Sequence, residues 1–158
     1  MRIYLDSSTL VKRYVSEKGS ELLHTLYGKA DSGELVIATS IWNLGETLGA
    51  LDIYKNKGWI DEKQFQTATT NLAGETIRLT RLKVMRIVPM TSSIVATCWR
   101  YILSYSIYQA DAIQLTSFTL SNSGLLLTAD KVLIRAAIKE GIKAFNVEKE
   151  ANKILASL

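Results

Sequence analysis

The chain has 158 residues, 47% of them hydrophobic, which is close to the usual size of one domain and enough apolar material for its core. Charged residues make up 22%, there is one proline, and no stretch is repeated or low in complexity, which excludes a disordered chain or a repeat array. Lys and Arg number 19 against 15 Asp and Glu, and the pI of about 9.2 raises the expectation of a polyanionic partner.

Taken in order, Met1-Arg2-Ile3-Tyr4-Leu5-Asp6 meets charge too early for the apolar region of a signal peptide, and Lys12 and Arg13 interrupt it again. The protein is therefore expected in the cytoplasm. Ile3-Tyr4-Leu5 is the first apolar run, and Ser7 and Ser8 mark the start of the helix behind it. His24, the only histidine, lies on a helix of mixed polarity and reads as a surface residue. The second run, Leu35-Val36-Ile37-Ala38, is followed by the helix-capping Ser40. From Ile41 to Leu82 two longer helices, broken near Lys57-Gly58-Trp59 and restarted by Asp61, form a hairpin expected to stand partly off the sheet. Arg86-Ile87-Val88 is the third run, and Thr91 and Ser92 open the next helix after Pro89. Cys98 is the single cysteine, so no intrachain disulfide or Cys-rich metal site is possible, and beside Ile94 and Val95 it reads as a small buried hydrophobe. The stretch from Tyr101 to Leu120 is seeded with Ser, Gln and Thr, which argues against a membrane span. Leu125-Leu126-Leu127 and Lys143-Ala144-Phe145 are the last two runs, with Asp130 opening the helix between them.

Short apolar runs alternating with helices are the βαβ rhythm. Because the runs are continuous, both sheet faces should be covered. The expected fold is α/β: a three-layer α/β/α sandwich with a mainly parallel sheet, one domain spanning residues 1–158.

Ligands of open parallel sheets bind outside the carboxyl ends of the strands. Asp6 and Asp130 both occupy that place, and they meet in one crevice if their strands are neighbours. Each could equally be a helix N-cap. Asp111 is the only charge between Tyr101 and Ala129, and Glu46 the only one between Leu35 and Leu51. Ile41, Leu44, Leu48 and Leu51 form an apolar stripe on the Glu46 helix, with Trp42, Gly49 and Ile53 on the facing side. A lone carboxylate on such a helix is costly to desolvate unless paired or metal-bound, and no cation lies near Asp111 in sequence. Four converging carboxylates would repel one another, and a divalent ion resolves that repulsion. All-oxygen donors select magnesium, or manganese, over zinc. With no credible Ser-His or Cys-His pair, metal-activated water is the remaining chemistry.

These residues resemble the PIN-domain ribonucleases, and among them the VapC-like toxins of toxin-antitoxin pairs. The resemblance runs through Leu5-Asp6-Ser7-Ser8-Thr9-Leu10-Val11-Lys12, the helix carrying Glu46, Asp111-Ala112-Ile113-Gln114-Leu115 and Leu127-Thr128-Ala129-Asp130, with Ala136-Ala137 and Gly141 near the end. It implies a magnesium-dependent endoribonuclease with Asp6, Glu46, Asp111 and Asp130 as the acidic set and Ser8 and Thr128 supporting them by hydrogen bonds. It also implies an RNA substrate, a cognate antitoxin and a homodimer. Gln114 stands where many relatives have His, and Thr116-Ser117 where small Ala residues are common. Asp6 and Asp111 are the expected direct metal ligands, with Glu46 and Asp130 acting through waters. Lys12 and Arg13, under two helical turns from Asp6, are the expected phosphate contacts; the run Arg78, Arg81, Lys83, Arg86 is a further basic stretch, open to a reading as solvated cations near a helix C-terminus. Receiver and dehalogenase-like domains share the sheet but need a second acid just after Asp6 or near it, where Ser7 and Ser8 stand. The alternative from another class is a non-catalytic PIN-like module that binds RNA or protein.

Overall fold

All five apolar runs become strands. In a computed structural model, which describes residues 1–158, they are β1 (Arg2–Leu5), β2 (Val36–Ser40), β3 (Met85–Val88), β4 (Leu125–Thr128) and β5 (Ala144–Asn146). The helices are α1 (Ser7–Leu10), extended by a short 3₁₀ turn over Val11–Arg13, α2 (Ser20–Asp31), α3 (Ile41–Asn56), α4 (Glu62–Arg81), α5 (Ser92–Tyr105), α6 (Gln109–Ser121), α7 (Lys131–Lys139) and α8 (Ala151–Leu155). The sheet is wholly parallel in the order β3-β2-β1-β4-β5, with Tyr4 in register with Ala38 on one side and Leu126 on the other.

Alternation along the strands divides the core into two layers. Ile3, Leu5, Ile37, Leu125 and Leu127 face α2, the end of α4 and α8, where Leu23, Leu26, Leu79 and Ile154 are buried. Tyr4, Ala38 and Leu126 face α5, α6 and α7, against Cys98, Tyr101, Ile113, Leu115 and Leu133. Each such Leu or Ile contributes roughly 1.5–3 kcal/mol by leaving water, which is what holds helices on both faces. Since the chain leaves β1 toward β2 but leaves β4 toward β5, the connections diverge at the β1/β4 boundary and open a crevice there.

The hairpin turns where it was expected. Gly58 takes a positive φ of 71°, and α4 restarts with a capping box in which Asp61 and Gln64 satisfy each other's backbone N–H groups. Its outer part has a small core of its own, Val11, Leu51 and Ala68, flanked by Tyr54, Ile60 and Phe65. Two local readings need correction. The cap of α1 is Asp6 rather than Ser7 or Ser8. On α3 the apolar stripe is not the buried face: Ile41 is 49% and Leu48 44% exposed, while Asn43 and Thr47 are buried together with Leu51. No helix is long and apolar enough to cross a membrane.

Candidate active site

Because β1 and β4 are neighbours, their carboxyl ends bring Asp6 and Asp130 to the same crevice. Asp6 leaves β1 extended (φ −83°, ψ 177°), and its Oδ1 accepts from the Thr9 backbone N–H at 3.0 Å. Ser8 Oγ donates to the same carboxylate, 2.8 Å from Oδ1 and 2.9 Å from Oδ2, and Thr128 Oγ1 donates to Oδ2 at 2.6 Å. Ser8 Oγ accepts in turn from Ala129 N–H at 2.9 Å, and Thr128 Oγ1 from Asp130 N–H at 2.9 Å. The two hydroxyls thus bind the end of β1 to the end of β4. Burial still dominates. Asp6 is only 5% exposed, and desolvation pushes its carboxyl up to about 6 against the opposing pull of these donors.

Asp130 caps α7, with Oδ1 accepting from Val132 N–H at 2.6 Å and Leu133 N–H at 3.1 Å. Its side chain is exposed. Glu46 projects from the first half of α3, half-buried, and its Oε2 accepts from Ser7 Oγ at 2.9 Å and Gln114 Nε2 at 3.3 Å. Asp111 lies in the first turn of α6 and is half-buried. Its carboxyl is pushed up to about 6, first by burial and then by the charges of Asp130, Asp6 and Glu46. Asp111 thus lies within electrostatic reach of the other three acids.

None of the four takes part in an ion pair, although nine such pairs exist elsewhere in the molecule. The cluster thus carries negative charge that nothing in the protein offsets. Its donors are all oxygen, which fits a hard divalent cation. No three Asp, Glu, His or Cys side chains stand close enough to hold an ion directly. The arrangement fits a cation that keeps part of its hydration shell, the usual habit of magnesium.

The cations expected at a phosphate, Lys12 and Arg13, are paired with carboxylates of the protein. Lys12 is only 4% exposed, with Nζ 2.8 Å from Glu148 Oε1 and 3.5 Å from Glu17 Oε1. Arg13 makes two bonds to Glu75, at 3.1 Å and 2.5 Å, meets His24 Nδ1 at 2.5 Å and lies over the Tyr27 ring. In the later basic run, Arg78 pairs with Asp31 at 2.7 Å and 3.2 Å. A surface cavity of about 600 Å³ between the 3₁₀ turn and the hairpin is lined by Tyr14, Tyr54 and Trp59 and by none of the four acids.

Three polar residues behind the acids were not assigned a role from sequence. Tyr4, Asn43 and Gln114 are all buried and hydrogen-bond one another beneath Glu46. The available signal was an amide three residues from each helical acid, Asn43 before Glu46 and Gln114 after Asp111, in stretches with no other charged residue.

Solved structures share this architecture at low identity. PAE2754 from Pyrobaculum aerophilum superposes with a TM-score of 0.65 at 17% identity, covering 99% of this chain and 90% of that one. VapC20 of Mycobacterium tuberculosis, described as a sarcin-ricin loop cleaving toxin, gives 0.60 at 17% identity, over 85% and 94%. VapBC2 from Rickettsia felis, bound to a DNA fragment from their promoter, gives 0.58 at 14%, over 92% and 98%. At these identities the likeness establishes the fold. No curated protein matches the chain significantly. The sequence does match the PIN domain family over residues 3–139, and the chain belongs to that family.

Proposed function

We propose that this protein is a magnesium-dependent endoribonuclease, the toxin of a toxin-antitoxin pair, whose site is made by Asp6, Glu46, Asp111 and Asp130. The observation that carries the reading is Asp111, half-buried and pushed up to about 6 by burial and by three other carboxylates, with no Lys or Arg paired to any of them. Such a cluster is repulsive at neutral pH, and a cation near it relieves the repulsion. Membership of the PIN family and the shared fold of VapC20 and VapBC2 support the same reading.

Magnesium, or manganese in its place, would supply a water acidic enough to attack a phosphodiester and positive charge to offset the phosphate. Asp6 and Asp111 would hold the ion. Ser8 and Thr128 keep the Asp6 carboxylate in one orientation. Glu46 Oε1 and Asp130 Oδ2 have no protein donor, so each can accept a proton from the attacking water or orient it. RNA is the substrate, a cognate antitoxin the regulating partner, and a second copy of the chain the other partner.

The test is RNA cleavage with magnesium, in excess chelator, and by Asp6→Asn. Asparagine caps a helix as well as aspartate does, so the variant should fold, yet it loses the charged ligand and should not cleave. Cleavage undiminished in chelator contradicts the metal mechanism. A folded wild type that binds RNA without cutting it is the non-catalytic module instead.

A further inference from the structure

Behind Glu46 lies a closed set of hydrogen bonds that reaches from the sheet to the site. Tyr4 on β1 and Asn43 on α3 are 0% exposed, and Gln114 on α6 is 3% exposed. Tyr4 Oη donates to Gln114 Oε1 at 2.9 Å. The orientation of the amide is fixed from its other end, where Glu46 Oε2 and Asn43 Oδ1 can only accept, so the nitrogen faces them and the oxygen faces the hydroxyl. Gln114 Nε2 is thereby turned toward α3, where it donates to Asn43 Oδ1 and, at 3.3 Å, to Glu46 Oε2. Asn43 is fixed from its other side: its Nδ2 donates to Leu5 O at 3.1 Å, Thr39 Oγ1 at 3.0 Å and Tyr4 Oη at 3.2 Å. Each amide therefore has a single orientation. Burying these groups is costly unless each finds a partner, and here all of them do.

We infer that Gln114 is a positioning residue, which uses the Tyr4–Asn43 relay to hold the Glu46 carboxylate by one oxygen and leave the other free for the ion or its water. The purpose of this tether rests on the nuclease reading. α3 crosses the crevice from the hairpin side and α6 from the opposite layer, so without such a link nothing but Ser7 orients Glu46 toward Asp6 and Asp111. The inference also accounts for the burial of Asn43 on α3.

The experiment compares wild type with Gln114→Met, an unbranched replacement of similar length that lacks donor and acceptor. Because that change leaves the Tyr4 hydroxyl without its acceptor, the single variant can fail to fold. Tyr4→Phe with Gln114→Met removes the hydroxyl and its acceptor together, which limits the penalty to the one group left unpartnered, Asn43 Oδ1, while Asn43 Nδ2 keeps Leu5 and Thr39. Three quantities are read: manganese affinity by electron paramagnetic resonance, RNA-cleavage kcat and KM, and, in chelator, the exchange of the Gln114 side-chain amide protons. Expected are a folded double variant with at least about tenfold weaker manganese binding, kcat lowered with KM for RNA unchanged, and wild-type Gln114 amide protons that are slow to exchange and shift in Glu46→Ala. A folded double variant with wild-type manganese affinity and kcat overturns the inference while the nuclease reading stands. A wild type that neither binds manganese nor cuts RNA overturns both.

Discussion

Asp6 and Asp111 are both held above the ordinary carboxylate range, at about 6, from a usual 3.8, but Asp6 mainly by burial and Asp111 by burial together with its three acidic neighbours. For either residue the native state keeps its proton up to a higher pH than the unfolded chain does. Between about pH 4 and 6 the native state therefore binds more protons, and stability falls as pH rises through that window, with the full cost present above it. In chelator the melting temperature contributed by this site should thus drop from pH 5 to pH 7, and Asp6→Asn combined with Asp111→Asn should flatten the drop. A profile identical in the double variant contradicts the assignment. At this scale the sequence offered two readings of Asp6 and Asp130, cap or acid; both residues do cap their helices, and the caps use Oδ1, which leaves the second oxygen of each carboxylate for the proposed site. The ion pair of Lys12 was not legible in the sequence for a plain reason. Its partner Glu148 lies 136 residues away, and spacing from Asp6 says nothing of it.

Among the elements, the five strands, the hairpin and the helices that carry the acids were readable from apolar runs and cap residues. The strand order was not, since it depends on which way each crossover turns. Neither was the buried face of α3, where periodicity pointed to Ile41 and Leu48 but satisfied amides proved compatible with burial. Lys12 supplies a test here, because it joins the 3₁₀ turn to the segment between β5 and α8. Lys12→Met should destabilise by about 2 kcal/mol, less than for a fully enclosed pair because Glu148 and Glu17 keep access to water. RNA affinity should be unchanged. Weaker RNA binding at unaltered stability would return Lys12 to the phosphate.

For the molecule as a whole, Ile41, Trp42, Leu48, Ile53, Trp59, Ile77 and Leu82 are all exposed within the α3–α4 segment. That is more apolar surface than an isolated small domain usually shows, and it supports the proposed homodimer. Sedimentation at tens of micromolar, a concentration range that populates contacts of ordinary affinity, should show a dimer, and Leu48→Glu should shift it toward monomer. A wild-type monomer under those conditions contradicts the proposal.

The central claim is that the four carboxylates form one electrostatic unit made to be neutralised by a cation, and the melting temperatures of wild type and Asp111→Asn, each in chelator and in magnesium, test it most directly. In chelator, Asp111→Asn removes a repelled charge, so it should be as stable as wild type or more stable, by on the order of 1 kcal/mol once the screening of a half-buried group is allowed for. Magnesium should reverse the order, since wild type binds the ion in its folded state and gains stability by mass action, while the variant lacks a ligand. Strong destabilisation of Asp111→Asn in chelator, with equal responses of both proteins to magnesium, would make Asp111 a structural hydrogen-bonding residue and contradict the account.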